Sequence, residues 1–433
     1  MTELLDQTDI AQFVRLHDEL RNDVPPFIQA FRAASMSRFL KTGLPTTEQE
    51  EWRYTSVAPI GKLALQRGPI VPLRTIDAHR IRGASAELVF VNGHFVSELS
   101  TSRELGDGVV AKSLRGAWQD EPQTVEKFLG RSVDSSAHSF AALNGALLED
   151  GAYIDVGNRC DAGTIHLLFV SAGNESAIAN PRILAVTGRD ARLTLIETYV
   201  SSTEAPSVVN VASEIVVGAN AAVDHYRLQN EGAYHISTSA VRQVRDSSYE
   251  SHVITVGGTL TRNDLSVSLL GEGSGCTLDG LYLLEGSQHV DNHTIIDHAT
   301  PHATSVELYK GVLDGKSRGV FDGKIVVRRD AQKTSARQTN KNLLLSNEAI
   351  ADSKPQLEIH ADDVKCNHGS TIGQIDKDAL FYLRSRGIGA REAANILMMA
   401  FASEVVQRIR VDEIRSRLEG FLLHRLAKHE EAA

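Results

Sequence analysis

From Ala152 onward the chain is a succession of short runs rich in β-branched residues, GTIHLLFV, RILAVTGRDARLTLIETYV, SEIVVGANAAVDHYRL, VRDSSYESHVITVGG, GSGCTLDGLYLLEG and GKIVVRRDAQ, punctuated by Gly, Asn and Asp. Apolar and polar positions alternate within the runs, which places every second side chain on one face, as in a strand with one buried side. The turns look alike. Gly188-Arg189-Asp190-Ala191, Gly218-Ala219-Asn220-Ala221 and the Gly271 to Gly275 cluster each precede an alternating strand. They recur roughly every 27 to 30 residues, as the coils of a solenoid do. The pattern predicts a mainly β chain built on a parallel β-helix or a closely related β-solenoid.

Both flanks read as helix. Ile10, Phe13, Val14 and Leu16, then Phe27, Ala30, Phe31, Ala34 and Phe39, keep helical spacing on either side of Pro25-Pro26, which predicts two helices. Trp52-Arg53-Tyr54 in EEWRYTS is expected to make a folding contact. Asn92-Gly93 between Leu88–Val91 and Phe95–Leu99 predicts a tight hairpin, because both central positions of that turn need positive φ. A helical interlude is expected from about Thr124 to Leu148. After Ile375 the helical period returns, with Asp376 as N-cap and Gly387 as stop, followed by stripes through Ala393, Ile396, Leu397, Ala400, Phe401 and Val405 and through Ile414, Leu418, Phe421, Leu422 and Leu426. An unfinished coil leaves an unpaired edge, so the terminal helices are expected to cover the solenoid ends. The resulting division is 1–85 helical, 86–150 hairpin and helical interlude, 151–375 β-helix core and 376–433 helical tail.

Composition narrows the function. With 45 basic and 55 acidic residues the net charge is -10, without long like-charge blocks, which argues against nucleic acid or an anionic membrane as the main partner. Cys160, Cys276 and Cys366 are an odd, scattered set, as expected of a chain kept in a reducing compartment. The acidic, amphipathic start MTELLDQTDIAQFVRLHDEL lacks the features of a secretion signal, and no apolar run spans a bilayer, so a cytoplasmic location is expected.

Candidate chemistry gathers where the β region gives way to the tail, in PQLEIHADDVKCNHGSTIGQIDKDALFYLRSRGI, Pro355 to Ile388. Cys366 and His368 lie two apart in an extended segment and so share a side, and both residue types bind iron or zinc. Two ligands do not complete a site, and no CxxC pair occurs anywhere in the chain. The alternative is a half-buried cysteine beside a hydrogen-bonded histidine. His289, His293, His298 and His302 form a second candidate group, with spacings that suit a helix better than the strand their neighbours indicate. Gly311 to Ser317, GVLDGKS, ends like a phosphate-binding loop but has three residues between its glycines where four are required, so ATP hydrolysis would have to come from a partner. Sugar processing on a β-helix, with carboxylates and arginines drawn from Asp322, Arg328, Arg329 and Asp330, is the reading from another class. At 6% aromatic the chain shows no cluster of rings for stacking sugars.

YKGVLDGKSRGVFDGKIVVRRDAQKTSARQTNKNLLLS, Tyr309 to Ser346, and KPQLEIHADDVKCNHGSTIGQIDKDALFYLRSRGI, Lys354 to Ile388, resemble the core signature of the SufB/SufD family of iron–sulfur cluster assembly proteins. EEWRYTS, LVFVNGHFV and FAALNGALLEDG extend the resemblance over nearly the whole chain. It is nearer to SufD, because DDVKCNHG stands where SufB usually carries an EHEA-type run, and Asp352-Ser353-Lys354 stands where SufB has a cluster-ligand cysteine shortly upstream. The resemblance implies a right-handed parallel β-helix that is a non-catalytic subunit, pairing with SufB through the β-helix and docking the SufC ATPase on the carboxy-terminal helices, with the loop Gly387 to Arg391 as a candidate contact. It further implies that a nascent iron–sulfur cluster, or its iron, is held at the SufB interface with His368 as a ligand and Cys366 nearby. A SufB-like autonomous scaffold is the variant reading, and a homodimer is possible for the isolated chain. A flavin has been associated with such complexes, but no dinucleotide fingerprint occurs here.

Overall fold

Strands of the central region fall alternately into two sheets, and within each sheet the order follows the chain. One sheet runs from Gly151–Val156 and Arg182–Thr187 through Val208–Val217, Tyr234–Gln243, Leu260–Leu269, His289–His298 and Arg318–Val327 to Ile350–Ile359. The other runs from Ala86–Val91 and Asp161–Ser171 through Arg192–Ser201, Ala222–Asn230, Ser248–Thr255, Gly275–Leu284, Thr304–Leu313 and Ser335–Leu344 to Lys365–Gln374. All these neighbours pair in parallel, which makes the chain a β-solenoid. This computed structural model describes residues 7–431 apart from 22, 74–75, 103–104, 203–204 and 233, with side chains described for residues 10–423.

Each coil holds two strands. Ala222 pairs with Ser248 and Arg318 with Ile350, so a coil takes between 26 and 32 residues. The recurring turn seen in the sequence is the one that leads into the second sheet, and it repeats because it needs one left-handed residue. Asp190, Asn220, Asp246, Gly273, His302 and Lys333 fill that place in successive coils, all with φ between 56° and 73°. Asn, Asp and Gly tolerate this conformation best, which is why these residues punctuate the chain.

Residues alternating inward stack on their register partners in the coils before and after. Phe90, Phe169 and Tyr199 form one such stack, with ring centroids 4.9 and 4.8 Å apart. Polar residues also line the interior. Glu197 binds both His225 and Arg227 at 2.8 Å, with all three side chains almost wholly buried.

The two ends differ. At the amino-terminal end antiparallel strands finish the sheets, Val109–Ser113 on Gly151–Val156 and the hairpin partner His94–Phe95 on Ala86–Val91, with Asn92 and Gly93 both at positive φ in the turn. At the other end Ile350–Ile359 and Lys365–Gln374 each pair on one side only. The expectation that the tail covers this end is corrected. The helices Ala390–Val406 and Asp412–Glu431 lie along the outer face of the second sheet, packing Met398, Ala402, Val405, Val406, Ile414 and Leu418 against residues such as Tyr226, Ile254, Leu283 and Leu308. The stripe is therefore rotated from the one expected: Met398 and Ala402 are buried, whereas Ile396 and Ala400 face out. The apolar stripe on that helix is nearly continuous, so spacing alone does not fix which part of it meets the sheet.

The first two helices are Gln7–Asp18 and Pro26–Thr42, the second starting within the proline pair with Pro25 as its N-cap; the expected interlude holds Pro122–Phe128 and Ser139–Ala146, and a further short helix, Leu114–Asp120, precedes it. Trp52 closes a short turn that docks on the first sheet, with the Arg262 guanidinium 3.8 Å from its ring centroid. No helix among the described residues is long and apolar enough to cross a membrane.

Candidate functional site

The last coil brings Cys366 and His368 to the open end of the solenoid. Lys365–Gln374 pairs with Ser335–Leu344 so that Ala336 adjoins Cys366, Gln338 adjoins His368 and Asn340 adjoins Ser370. Ala336, Gln338 and Asn340 are buried inward residues, so Cys366, His368 and Ser370 belong to the inward face of a coil that no further strand among the described residues covers. Two contacts fix this orientation. Cys366 packs against the interior apolar cluster, and Ser370 Oγ donates to Ser353 Oγ of the opposite strand at 2.7 Å.

The environments of the two residues differ. Half-burial raises the Cys366 thiol above its usual range, which favours the neutral thiol while the coil stands alone. His368 is exposed. Together they offer one sulfur and one imidazole at an unfinished surface, and no group of three or more metal-ligating side chains occurs among the described residues.

His289, His293, His298 and His302 do not form one site. His289 and His293 face outward from the strand His289–His298, His298 points inward, and His302 is the left-handed residue of the next turn. Their partners are local. His289 Nε2 lies 2.9 Å from Thr55 Oγ1, and burial lowers its pKa. His293 Nε2 lies 2.9 Å from Asp291 Oδ1; burial opposes its charged form, but the Asp291 carboxylate outweighs this and raises the pKa. His298 Nε2 lies 2.9 Å from Ser305 Oγ, and burial pushes its pKa down to about 4. Thr55, which follows Trp52-Arg53-Tyr54, also donates to Asp291 Oδ2 at 2.6 Å, so the outward histidines help to tie the amino-terminal region to the sheet.

GVLDGKS is the end of the strand Thr304–Leu313 and a turn with Gly315 at φ +63°, leading into another strand. The residues considered for sugar chemistry are dispersed: Asp322 accepts from Gln356 Nε2 at 2.7 Å on the sheet face, while Arg328 binds Asp297 at an exposed turn.

Sequence reasoning missed a polar column beneath His368. Gln338 Nε2 donates to Glu307 Oε2 at 2.7 Å, and Asn342 Nδ2 donates to Asn340 Oδ1 at the same distance. Gly323 leaves room for it, since a Cβ there would meet Gln338 Nε2 at 2.4 Å. The signal was the alternation in ARQTNKN, which resembles a solvent-facing strand face until the partner strands show that Gln338, Asn340 and Asn342 point inward.

Comparison with known proteins accounts for almost the entire chain. A family described as the SufBD protein N-terminal region matches residues 5–163, and one described as SUF system FeS cluster assembly, SufBD core domain, matches residues 169–401. An iron–sulfur cluster assembly SufBD family protein of Synechocystis is 33% identical over 87% of this chain and 86% of its own length. The iron–sulfur cluster assembly protein SufD of Escherichia coli is 32% identical over 90% of this chain and 91% of its own, and that of Bacillus subtilis is 25% identical over 96% of each. With both family regions matched in order and full-length relatives above 30% identity, the chain belongs to the SufB/SufD family of iron–sulfur cluster assembly proteins.

Proposed function

We propose that this chain is a SufD-type subunit that completes its last coil against SufB and contributes His368, with Cys366 beside it, to a nascent cluster or iron at that junction. The observation that carries the reading is the unfinished coil: an inward-facing imidazole and thiol stand at a solenoid end whose two strands lack outer partners. Strand edges of this kind pair with another chain unless they are blunted. Half a site then explains why only two ligands are present, the remaining ones coming from SufB. The cluster is cargo here, and this chain's part is to hold and orient a ligand rather than to catalyse.

The tail is proposed to dock the SufC ATPase. Phe381 and Tyr382 on the helix Lys377–Ser385 are 73% and 57% exposed, and Ile396 on the next helix faces out, so the tail keeps an apolar surface after packing on the sheet. SufC closure would reach the solenoid through these helices as a ligand-biased change between two states.

The test is anaerobic cluster reconstitution followed by ultraviolet–visible and Mössbauer spectroscopy, on the chain alone and co-expressed with SufB and SufC, each with and without His368→Ala. A cluster formed only in the complex and weakened by the substitution supports the shared site. A stable cluster on the isolated chain would replace it with an autonomous scaffold, and an unchanged cluster in the substituted complex would remove His368 as a ligand.

A further inference from the structure

We infer that Gln338 is the positioning residue of His368, accepting one ring N–H on its Oε1 and so leaving the other ring nitrogen to a metal. The inference rests on the ligand role proposed for His368 and names the group that would set its tautomer.

Glu307, Gln338 and His368 occupy one inward column in three successive coils, each in register with the next. Adjacent parallel strands lie about 4.8 Å apart, within reach of one side chain's polar end. Gln338 is 1% exposed, and its Nε2 is committed to Glu307 Oε2 in the coil before. At pH 8, where Glu307 is ionised, turning the amide over would set two oxygens 2.7 Å apart and lose the bond. The amide oxygen is thus left on the side of the coil that carries His368. It is buried and has no hydrogen-bond partner among the described residues.

An unpartnered acceptor at this depth calls for a donor, and the group in register with it is an imidazole whose ring has no hydrogen bond among the described residues. Ligating histidines nearly always donate their second ring N–H to such an acceptor, which fixes the tautomer and the ring plane. Gly323, opposite, keeps the space for the amide clear. The two residues of the column below His368 would therefore act in sequence: Glu307 orients Gln338, and Gln338 orients His368.

The test uses the full chain at pH 8 labelled with nitrogen-15 in the histidine rings, the His368 signals being identified by their loss in His368→Ala. The wild-type chain is expected to show one tautomer at His368. Gln338→Met, matched in volume but without the acceptor, should give the mixed signals of a free imidazole and lower iron affinity of the complex roughly tenfold. The exchanged pair Glu307→Gln with Gln338→Glu, which keeps one N–H···O bond between the two residues and an oxygen on the His368 side, should retain the single tautomer and serves if the Met variant does not fold. A folded Gln338→Met chain with unchanged His368 signals would overturn the inference, as would a mixed tautomer in the exchanged pair. The two claims fail separately: full cluster formation in the His368→Ala complex removes the ligand role whatever the ring signals do, and unchanged ring signals remove Gln338 whatever the cluster does.

Discussion

Ser370 Oγ donates to Ser353 Oγ across 2.7 Å, joining the two strands that end the solenoid over an interior that no further coil covers. The backbone beside this bond is not equally open on both strands. Lys365 N bonds Thr334 O, so the odd-numbered amides of Lys365–Gln374 turn to the preceding coil and the even-numbered ones, from Cys366 to Gln374, turn to the free edge. On the other strand Ile350 N and His360 N bond the preceding coil, which puts Pro355, without an N–H, at a free-edge position. The edge that carries His368 thus offers an unbroken row of donors, and the opposite edge has a gap.

This parity separates two prolines. Ile372→Pro removes an N–H that faces the free edge, and its stability is expected to stay within about 1 kcal/mol of wild type while the proposed association with SufB weakens tenfold or more. Thr371→Pro removes an N–H bonded to the previous coil and should cost about 3 kcal/mol. Denaturant titration and co-purification with SufB measure both, and equal SufB binding by Ile372→Pro and wild type would exclude strand addition at this edge.

Glu307 gives the interior a pH dependence. Burial pushes its carboxyl up to about 7, against the hydrogen bond from Gln338. Below the ordinary glutamate value of 4.5 the group is largely neutral in both folded and unfolded chains. Between 4.5 and about 7 the unfolded chain ionises first, so this residue's contribution falls as pH rises and then levels off. Glu307→Gln should remove that loss, making the variant more stable than wild type by on the order of 3 kcal/mol at pH 8 and by little at pH 4, as read by denaturation at the two pH values.

The sequence carried the solenoid because the turn into the second sheet repeats a left-handed residue, from Asp190 through Asn220 to Lys333, and chemistry limits what can stand there. It carried Cys366 and His368 as a same-side pair because strand alternation is local. It did not carry the bare end of the last coil, since the apolar stripe from Met398 to Leu418 is equally suited to a solenoid end or to a sheet face, and only the packing on Tyr226 and Leu308 decides. Nor did it carry the separation of the four histidines, which depends on His298 pointing inward and His302 serving the turn. Gln338 was hidden for a related reason: inward polar residues look like outward ones until both faces are assigned.

Cys366 and His368 should separate in their effects on folding. His368 is exposed and makes no hydrogen bond among the described residues, so in the Gln338→Met chain, which lacks the acceptor inferred above, His368→Ala is expected to change stability by less than about 0.5 kcal/mol. Cys366 packs on the interior cluster, so Cys366→Ala should cost about 1 kcal/mol in the isolated chain. Thermal denaturation of the two variants makes the comparison, and a large loss with His368→Ala would mean that its effect on cluster formation cannot be read as loss of a ligand.

The tail is held to the solenoid by charge as well as by its apolar face. Arg408 Nη1 donates to Asp279 Oδ1 at 2.9 Å, and Lys310 Nζ donates to Phe401 O at 2.7 Å. Asp279 is buried on the outer sheet face, where burial raises its pKa to about 6 although Arg408 works against the rise. Removing the arginine leaves a buried carboxylate without its counter-charge at pH 8, but a neutral acid at pH 5. Arg408 is 39% exposed, which reduces the effect below that of a fully buried pair. Arg408→Ala should therefore loosen the tail by about 1–2 kcal/mol at pH 8 and by clearly less at pH 5, seen as faster amide exchange across residues 398–422. Asp279→Asn in the same chain should restore protection at pH 8, because it removes the charge that Arg408 balances. Unchanged exchange in Arg408→Ala at pH 8 would leave the apolar stripe as the whole of the attachment, and the SufC-driven motion proposed above would then have to pass through that stripe rather than through the ion pair.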